Sequence, residues 1–266
     1  MALLEVLREQ AVRDRLPLRV VLKEALQVYT LATIYAQRMS DRVTFQGGTC
    51  LRLVYGGPRY SEDLDFVTRL TLSELKNLFE HVQPELMRWA PLFEGDLSLR
   101  VQKATSSIVR WRIYYRGTQS QDAVSISVEF APYPAYTTQI APLHVPSSFP
   151  ALPLVVVRAE REAEILADKV VAFAGRRYVK GRDVFDIWWL RQRGVEVDRT
   201  MVRRKMADYG VHTGHLRENL AQLRPERVRQ ELERFLPWRY RIQVLHPDVL
   251  SAMVDEVREW LEQVGE

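Results

Sequence analysis

Apolar residues recur at three- and four-residue spacing over residues 3–16 and again over 18–39, which predicts two helices parted at Pro17. The alternating segment 43–46, Val-Thr-Phe-Gln, predicts a short strand, and Gly47-Gly48 after it a sharp turn. Residues 49–55 predict a short helix, broken by Gly56-Gly57-Pro58. Residues 63–66 read as a second strand. Thr71, Leu72, Ser73 and Glu74 form a capping box that opens a helix to about residue 89, kinked or split at Pro84. Residues 97–103 and 108–116 alternate apolar and polar positions, and Gly117 marks a turn. Val124, Ile126, Val128 and Phe130 then alternate with Ser125, Ser127 and Glu129, the cleanest period-two run in the chain.

Six prolines between Pro132 and Pro153 predict a long ordered loop, and with it a soft boundary between a first lobe, 1–150, and a second, 151–266. Beyond it the pattern is helical: 159–175, 182–193 ended by Gly194, 199–209, 216–235 interrupted at Pro225, and 247–264. No internal repeat or low-complexity tract is present. The expected fold is α+β, a mixed β-sheet lobe packed against a helical C-terminal lobe.

With 266 residues, 47% of them hydrophobic and 27% charged, the chain can bury a substantial core and is not a disordered segment. The single cysteine, Cys50, excludes an internal disulfide framework and fits a reducing cytoplasm. No apolar run approaches a membrane span, and the first ten residues carry charges through their apolar positions, unlike a signal peptide. The expected location is cytoplasmic. A net charge of +4 is mild, but residues 199–241 hold eleven Arg or Lys against five Asp or Glu. Such a stretch is either a solvated helical face or a track for a phosphate backbone.

The chemistry concentrates between Phe45 and Phe66. Side chains alternate across a strand, so Asp63 and Asp65 share one face while Leu64 and Phe66 share the other. Two adjacent carboxylates repel unless a cation lies between them, and hard oxygen ligands suit Mg²⁺. Free amide groups at the Gly47-Gly48 turn can face an anion. A phosphate-cradling turn beside a metal-binding pair points to nucleotide chemistry. His212 and His215 have no cysteine or carboxylate nearby and do not make a zinc site. Trp188 and Trp189 are expected to pack the helical lobe.

The segment G-G-T-C-L-R-L-V-Y-G-G-P-R-Y-S-E-D-L-D-F resembles the signature of the nucleotidyltransferase superfamily and, more narrowly, of the AbiEii family of toxins, together with the related MenT-type toxins. A second segment, A-D-K-V-V-A-F-A-G-R-R-Y-V-K-G-R-D-V-F-D-I-W-W-L, is similar to that family's lysine-bearing helix followed by a basic turn and R-D-x-x-D. The resemblance implies a nucleotidyltransferase-like fold and a Mg²⁺-dependent transfer of NMP from an NTP to an acceptor, the 3′ end of tRNA, which would block translation. It implies Asp63 and Asp65 as metal ligands with Glu129 as a third acid, and Lys169 as a point charge for the triphosphate. Asp183 and Asp186 lie three apart on one helix face, and one of them would orient a catalytic group or pair with Lys169 or Arg182. Gly47, Gly48, Thr49, Arg52 and Ser61 would line the nucleotide, and a cognate antitoxin would be the protein partner, with no membrane involved. Two rival readings stay open: transfer to a small molecule or a protein hydroxyl, and a non-catalytic RNA- or antitoxin-binding module.

Overall fold

The computed structural model describes residues 2–118, 123–145, 149–150, 152–212 and 214–265. The chain divides into two compact units, Met1–Gly56 with Tyr60–Glu160, and Gly57–Arg59 with Arg161–Glu266.

The first unit opens with α1 (Leu3–Asp14) and α2 (Leu18–Tyr35), separated at Pro17 as the spacing predicts. Strand β1 (Val43–Gln46) leads into α3 (Gly47–Leu53), and β2 (Leu64–Thr68) follows. Helix α4 (Leu72–Met87) carries the capping box, with Thr71 and Glu74 bonded reciprocally, and it runs on through Pro84. Strands β3 (Gly95–Ala104), β4 (Val109–Gly117), β5 (Ala123–Ala131), β6 (Thr138–Pro142) and β7 (Val156–Glu160) complete a seven-stranded sheet in the order β3-β4-β5-β2-β1-β7-β6. It is mixed: β1 pairs antiparallel with β2, whereas β2–β5 and β1–β7 are parallel.

The proline-rich stretch is where expectation and structure differ. Two strands lie within it or at its end rather than a loop, and because β7 is hydrogen-bonded to β1 the first unit runs to Glu160 instead of 150. Pro142 closes β6, the outermost strand, where a missing N–H breaks no inner ladder. Pro146, with residues 147, 148 and 151, lies outside the described residues.

One face of the sheet is an aromatic layer. Phe45, Phe66, Phe130 and Trp111, on four neighbouring strands, follow one another at ring-centre distances of 5.4, 5.1 and 4.5 Å. Tyr35 of α2 reaches the same layer at Phe66. All four sheet aromatics are at most 1% exposed, so the alternation that buries them turns their strand neighbours to the other, polar face.

The second unit is helical: α5 (Glu162–Gly175), α6 (Gly181–Gln192), α7 (Arg199–Tyr209), α8 (Gly214–Gln222), α9 (Pro225–Leu232), α10 (Trp238–Val244) and α11 (Pro247–Gly265). Helix α5 packs on α6, α7 and α8, and α6 on α9 and α11. Pro225 opens α9, which splits the helix expected over 216–235.

Candidate active site

In the first unit the chemistry lies on the polar face of the sheet. Asp65 is paired in register with Gln46 on one side and with Glu129 on the other, so the two carboxylates stand on adjacent parallel strands. Asp63 sits one residue before β2, where its Oδ1 accepts the backbone N–H of Ser127 at 3.0 Å. Gly47 explains itself here. Its φ is +78°, and a Cβ added to it would lie 2.7 Å from Oδ2 of Asp65. Only glycine lets the turn close on that carboxylate.

Thr49 donates from Oγ1 to the carbonyl of Asp63 at 2.5 Å, tying the first turn of α3 to the start of β2. Helices α1 and α2 hold the intervening loop. Gln10 donates to the Tyr60 hydroxyl at 2.7 Å, Gln27 to the carbonyl of Ser61 at 3.2 Å, and Lys23 pairs with Glu62 at 2.8 Å. Ser61, shortly before Asp63 in the chain, is thereby tied by its carbonyl to α2. Arg52 is committed elsewhere in the unit: it pairs with the buried Glu24 at 2.5 Å and lies 3.9 Å from the centre of the Tyr60 ring. Its geometry makes it a brace between α2 and α3 rather than a group held out toward a phosphate.

Glu129 accepts from Arg110 on β4 at 2.7 Å, and Arg112 donates to Ser127 and Ser125 at 2.6 and 2.9 Å. Among the described residues no three His, Cys, Asp or Glu side chains are gathered as a metal cage. The donor set around Asp63 and Asp65 is nonetheless of carboxylate oxygens, the type a hard divalent ion takes.

The second unit holds a compact charge cluster. Lys169 Nζ lies 3.2 Å from Asp183 and 2.7 Å from Asp186. Arg59 grips Asp186 with a two-pronged contact, Nε to Oδ1 at 2.8 Å and Nη2 to Oδ2 at 2.5 Å, and Arg176 pairs with Asp183. Burial on its own would lower the Lys169 pKa, but the Asp186 and Asp183 carboxylates outweigh it and hold the amine above its ordinary value. Burial would likewise raise Asp186, and the charges of Arg59 and Lys169 reverse that and hold its carboxyl below the usual range. Lys169 and Asp186 are therefore both held toward their charged forms.

The family described as nucleotidyl transferase AbiEii toxin, type IV toxin–antitoxin system, matches residues 29–253. The chain belongs to the AbiEii family. It is accordingly a nucleotidyltransferase and a toxin-type protein, for which the family implies an NTP substrate and an antitoxin partner. Nucleotidyltransferases generally use a divalent metal. Solved structures agree on the fold. MenT4, a nucleotidyltransferase toxin from Mycobacterium tuberculosis H37Rv, matches with 20% identity over 93% of this chain and 92% of its own, at a TM-score of 0.62. JHP933 from Helicobacter pylori matches with 16% identity over 93% and 95%, at a TM-score of 0.52. No curated protein sequence matches the chain. Among the described residues no helix is long and apolar enough to cross a membrane.

Seen as an AbiEii protein, the chain brings Gly47, Asp65 and Glu129 together in one unit and Lys169, Asp183 and Asp186 together in the other. Two partners escaped the sequence reading, and a third, Arg59, reads from the sequence only as a residue flanking the carboxylate pair that could touch phosphate or ribose. Arg110 was legible in principle, because it alternates with Val109 and Trp111 and so must face the side of Glu129. Arg176 lies in the basic turn after α5. Arg59 gave no sign of its role, since only the folded chain places it with the second unit against Asp186.

Proposed function

We propose that this AbiEii protein transfers NMP from an NTP to the 3′ end of tRNA in a Mg²⁺-dependent reaction, releasing pyrophosphate and blocking translation. A cognate antitoxin binds and restrains it. The observation that carries the reading is the close seating of the Gly47 turn on Asp65, with Asp63 and Glu129 alongside. That arrangement suits a phosphate chain laid against a carboxylate-held cation.

Asp63 and Asp65 would hold the ion, with Glu129 as the further acid when Arg110 is drawn off it. When bound, Mg²⁺ supplies charge to the phosphates and acidifies an attacking hydroxyl. The protein's own groups do the rest. Backbone amides of Gly47 and Gly48 approach the phosphates without a Cβ in the way, and the Ser61 hydroxyl would line the nucleotide. Thr49 and Arg52 act one step back, fixing Asp63 and α3. Lys169, whose amine is directed at Asp183 and Asp186, would be the point charge for the triphosphate that the family resemblance implies. The two acids keep the amine charged and aimed.

The test is to incubate the protein with each labelled NTP, Mg²⁺ and total RNA. Label should appear in tRNA, and Asp63→Asn or Asp65→Asn should reduce it ~100-fold or more, as loss of a ligand to a phosphoryl-transfer metal does. Label in protein or in a small molecule, or equal labelling by both variants, would overturn the proposal.

A further inference from the structure

A cavity of about 290 Å³ opens on the first unit, lined by Asp41, Arg42, Thr44, Arg69, Tyr133 and Arg158 among others. Its floor belongs to the face that carries Asp65. Thr44 pairs with Val67, two pairs beyond Gln46 with Asp65, and two residues along a strand keep the same side. That row lies about 7 Å from Asp65 along the strand. Arg158 precedes Ala159, the partner of Phe45 in the aromatic layer, and so also turns to the polar face. Nothing in the carboxylate chemistry described above uses this cavity.

Its character is anion-binding. Arg42 is neutralised by Glu74, but among the described residues Arg69 and Arg158 have no carboxylate partner. The Nε of Arg158 is buried and donates to nothing, while its Nη1 donates to Thr138 at 3.2 Å. A buried guanidinium N–H with no acceptor is costly unless a ligand supplies one. Tyr133 adds an aromatic ring beside two guanidinium groups and threonine hydroxyls, a combination that takes a phosphate and a stacked base together.

The position decides which nucleotide. The Gly47 turn lies at the C-terminal end of β1 and the cavity toward its N-terminal end, with the Asp65 row between them. Phosphoryl transfer needs attacking and leaving oxygens roughly in line on opposite sides of the phosphorus. If the donor's phosphates lie at the glycine turn, the acceptor approaches from the cavity. We infer that the cavity seats a terminal ribonucleotide of the acceptor strand, its phosphate on Arg69 and Arg158 and its base against Tyr133. This inference rests on the proposed transfer to RNA.

The test uses the full chain and reads binding without turnover. The affinity of a short single-stranded RNA with a free 3′ hydroxyl is measured by fluorescence anisotropy, and that of a non-hydrolysable NTP analogue by equilibrium dialysis. Arg69→Ala and Arg158→Gln remove the charges, and Ala135→Phe fills the cavity while leaving them in place. The two arginine variants should each weaken RNA binding about tenfold, as loss of a charged hydrogen bond does, and Ala135→Phe should weaken it about as much by occupying the cavity, with NTP binding and Tm unchanged in all three. Arg69 is exposed, so its variant folds in any event. A parallel loss of NTP affinity would make the cavity part of the donor site, and unchanged RNA affinity in all three variants would leave it no acceptor role. Displacement of the RNA by a hydroxyl-bearing peptide would assign the cavity to a protein acceptor. Any of these three results overturns the inference. Failure of the transfer reaction itself shows separately, as a wild-type protein that labels no RNA.

Discussion

Two glycines with nearly the same backbone angle separate strain from chemistry. Gly47 has φ +78° with Asp65 Oδ2 2.7 Å from where a Cβ would stand, whereas Gly56 has φ +74° and nothing within 4 Å. Gly56→Ala should cost only the left-handed strain, about 1–2 kcal/mol, and keep activity. Gly47→Ala should cost more and abolish transfer, because the new methyl displaces the carboxylate. Melting curves and a transfer assay on both variants check this, and an active Gly47→Ala enzyme would end the case for that turn. Asp186→Asn is the second residue-scale test. It leaves the buried Arg59 and Lys169 short of a counter-charge and should lower stability by about 3–5 kcal/mol. The pH dependence has a fixed sign. Asp186 is held below its ordinary 3.8, so its contribution is present above that value and is lost as pH falls through the folded pKa. Lys169 is held above its ordinary 10.5, so its contribution is complete below that value and fades as pH rises past the folded pKa. The Tm gap between wild type and Asp186→Asn should therefore be flat across neutral pH and close in acid. A gap that closes near neutrality would mean that Asp186 is not ionised by this cluster. The polar strand positions of Asp65 and Glu129 were legible from two-residue alternation, but the partner of Arg59 was not, since it lies more than a hundred positions away.

At the level of elements, α7 corrects a reading that composition encouraged. Arg203 and Arg204 are exposed, but Lys205, within the same basic run, is 0% exposed and lies 2.7 Å from Glu164 and 3.1 Å from Asp168 on α5. Consecutive residues on a helix point in different directions, so a run of three cations cannot present one face. Lys205→Ala should destabilise the helical unit by about 3–5 kcal/mol, because the buried Glu164 and the partly buried Asp168 lose their counter-charge. Arg203→Glu with Arg204→Glu should leave the Tm within about 1 kcal/mol of wild type, as exposed substitutions do. Denaturant titration distinguishes the two, and equal effects would contradict the packing of α7 on α5. Periodicity located β3, β4 and β5 because each has one buried and one polar face. It missed β6 and β7 because prolines and exposed apolar residues such as Ile140 and Val156 interrupt the alternation near the sheet's edge. It missed α10 because seven residues with a single buried position make no amphipathic stripe.

For the whole molecule, the α+β class and the helical second half were readable from the change of period, but Gly57–Arg59 joining the second unit was not, since no local pattern marks it. The charge distribution carries the last test. Of the eleven Arg and Lys between residues 199 and 241, nine are exposed, Arg241 is half-buried and Lys205 is internal. Five acids offset them, so the exposed excess is modest in size but confined to one stretch. NTP recognition needs no such surface, whereas a folded RNA held by its phosphates does. Each phosphate neutralised releases counterions, and about four contacts give a slope near −3 in log affinity against log salt. tRNA binding by the intact chain should show such a slope. Arg203→Glu, Arg204→Glu and Arg227→Glu together should flatten it and impair transfer to tRNA, while NTP affinity stays as it was. Lys205 is left untouched in that variant, so lost binding cannot be blamed on a broken helical unit. A wild-type affinity indifferent to salt, or a triple variant that binds tRNA as the wild type does, would make the stretch a solvated face and send the search for the acceptor elsewhere.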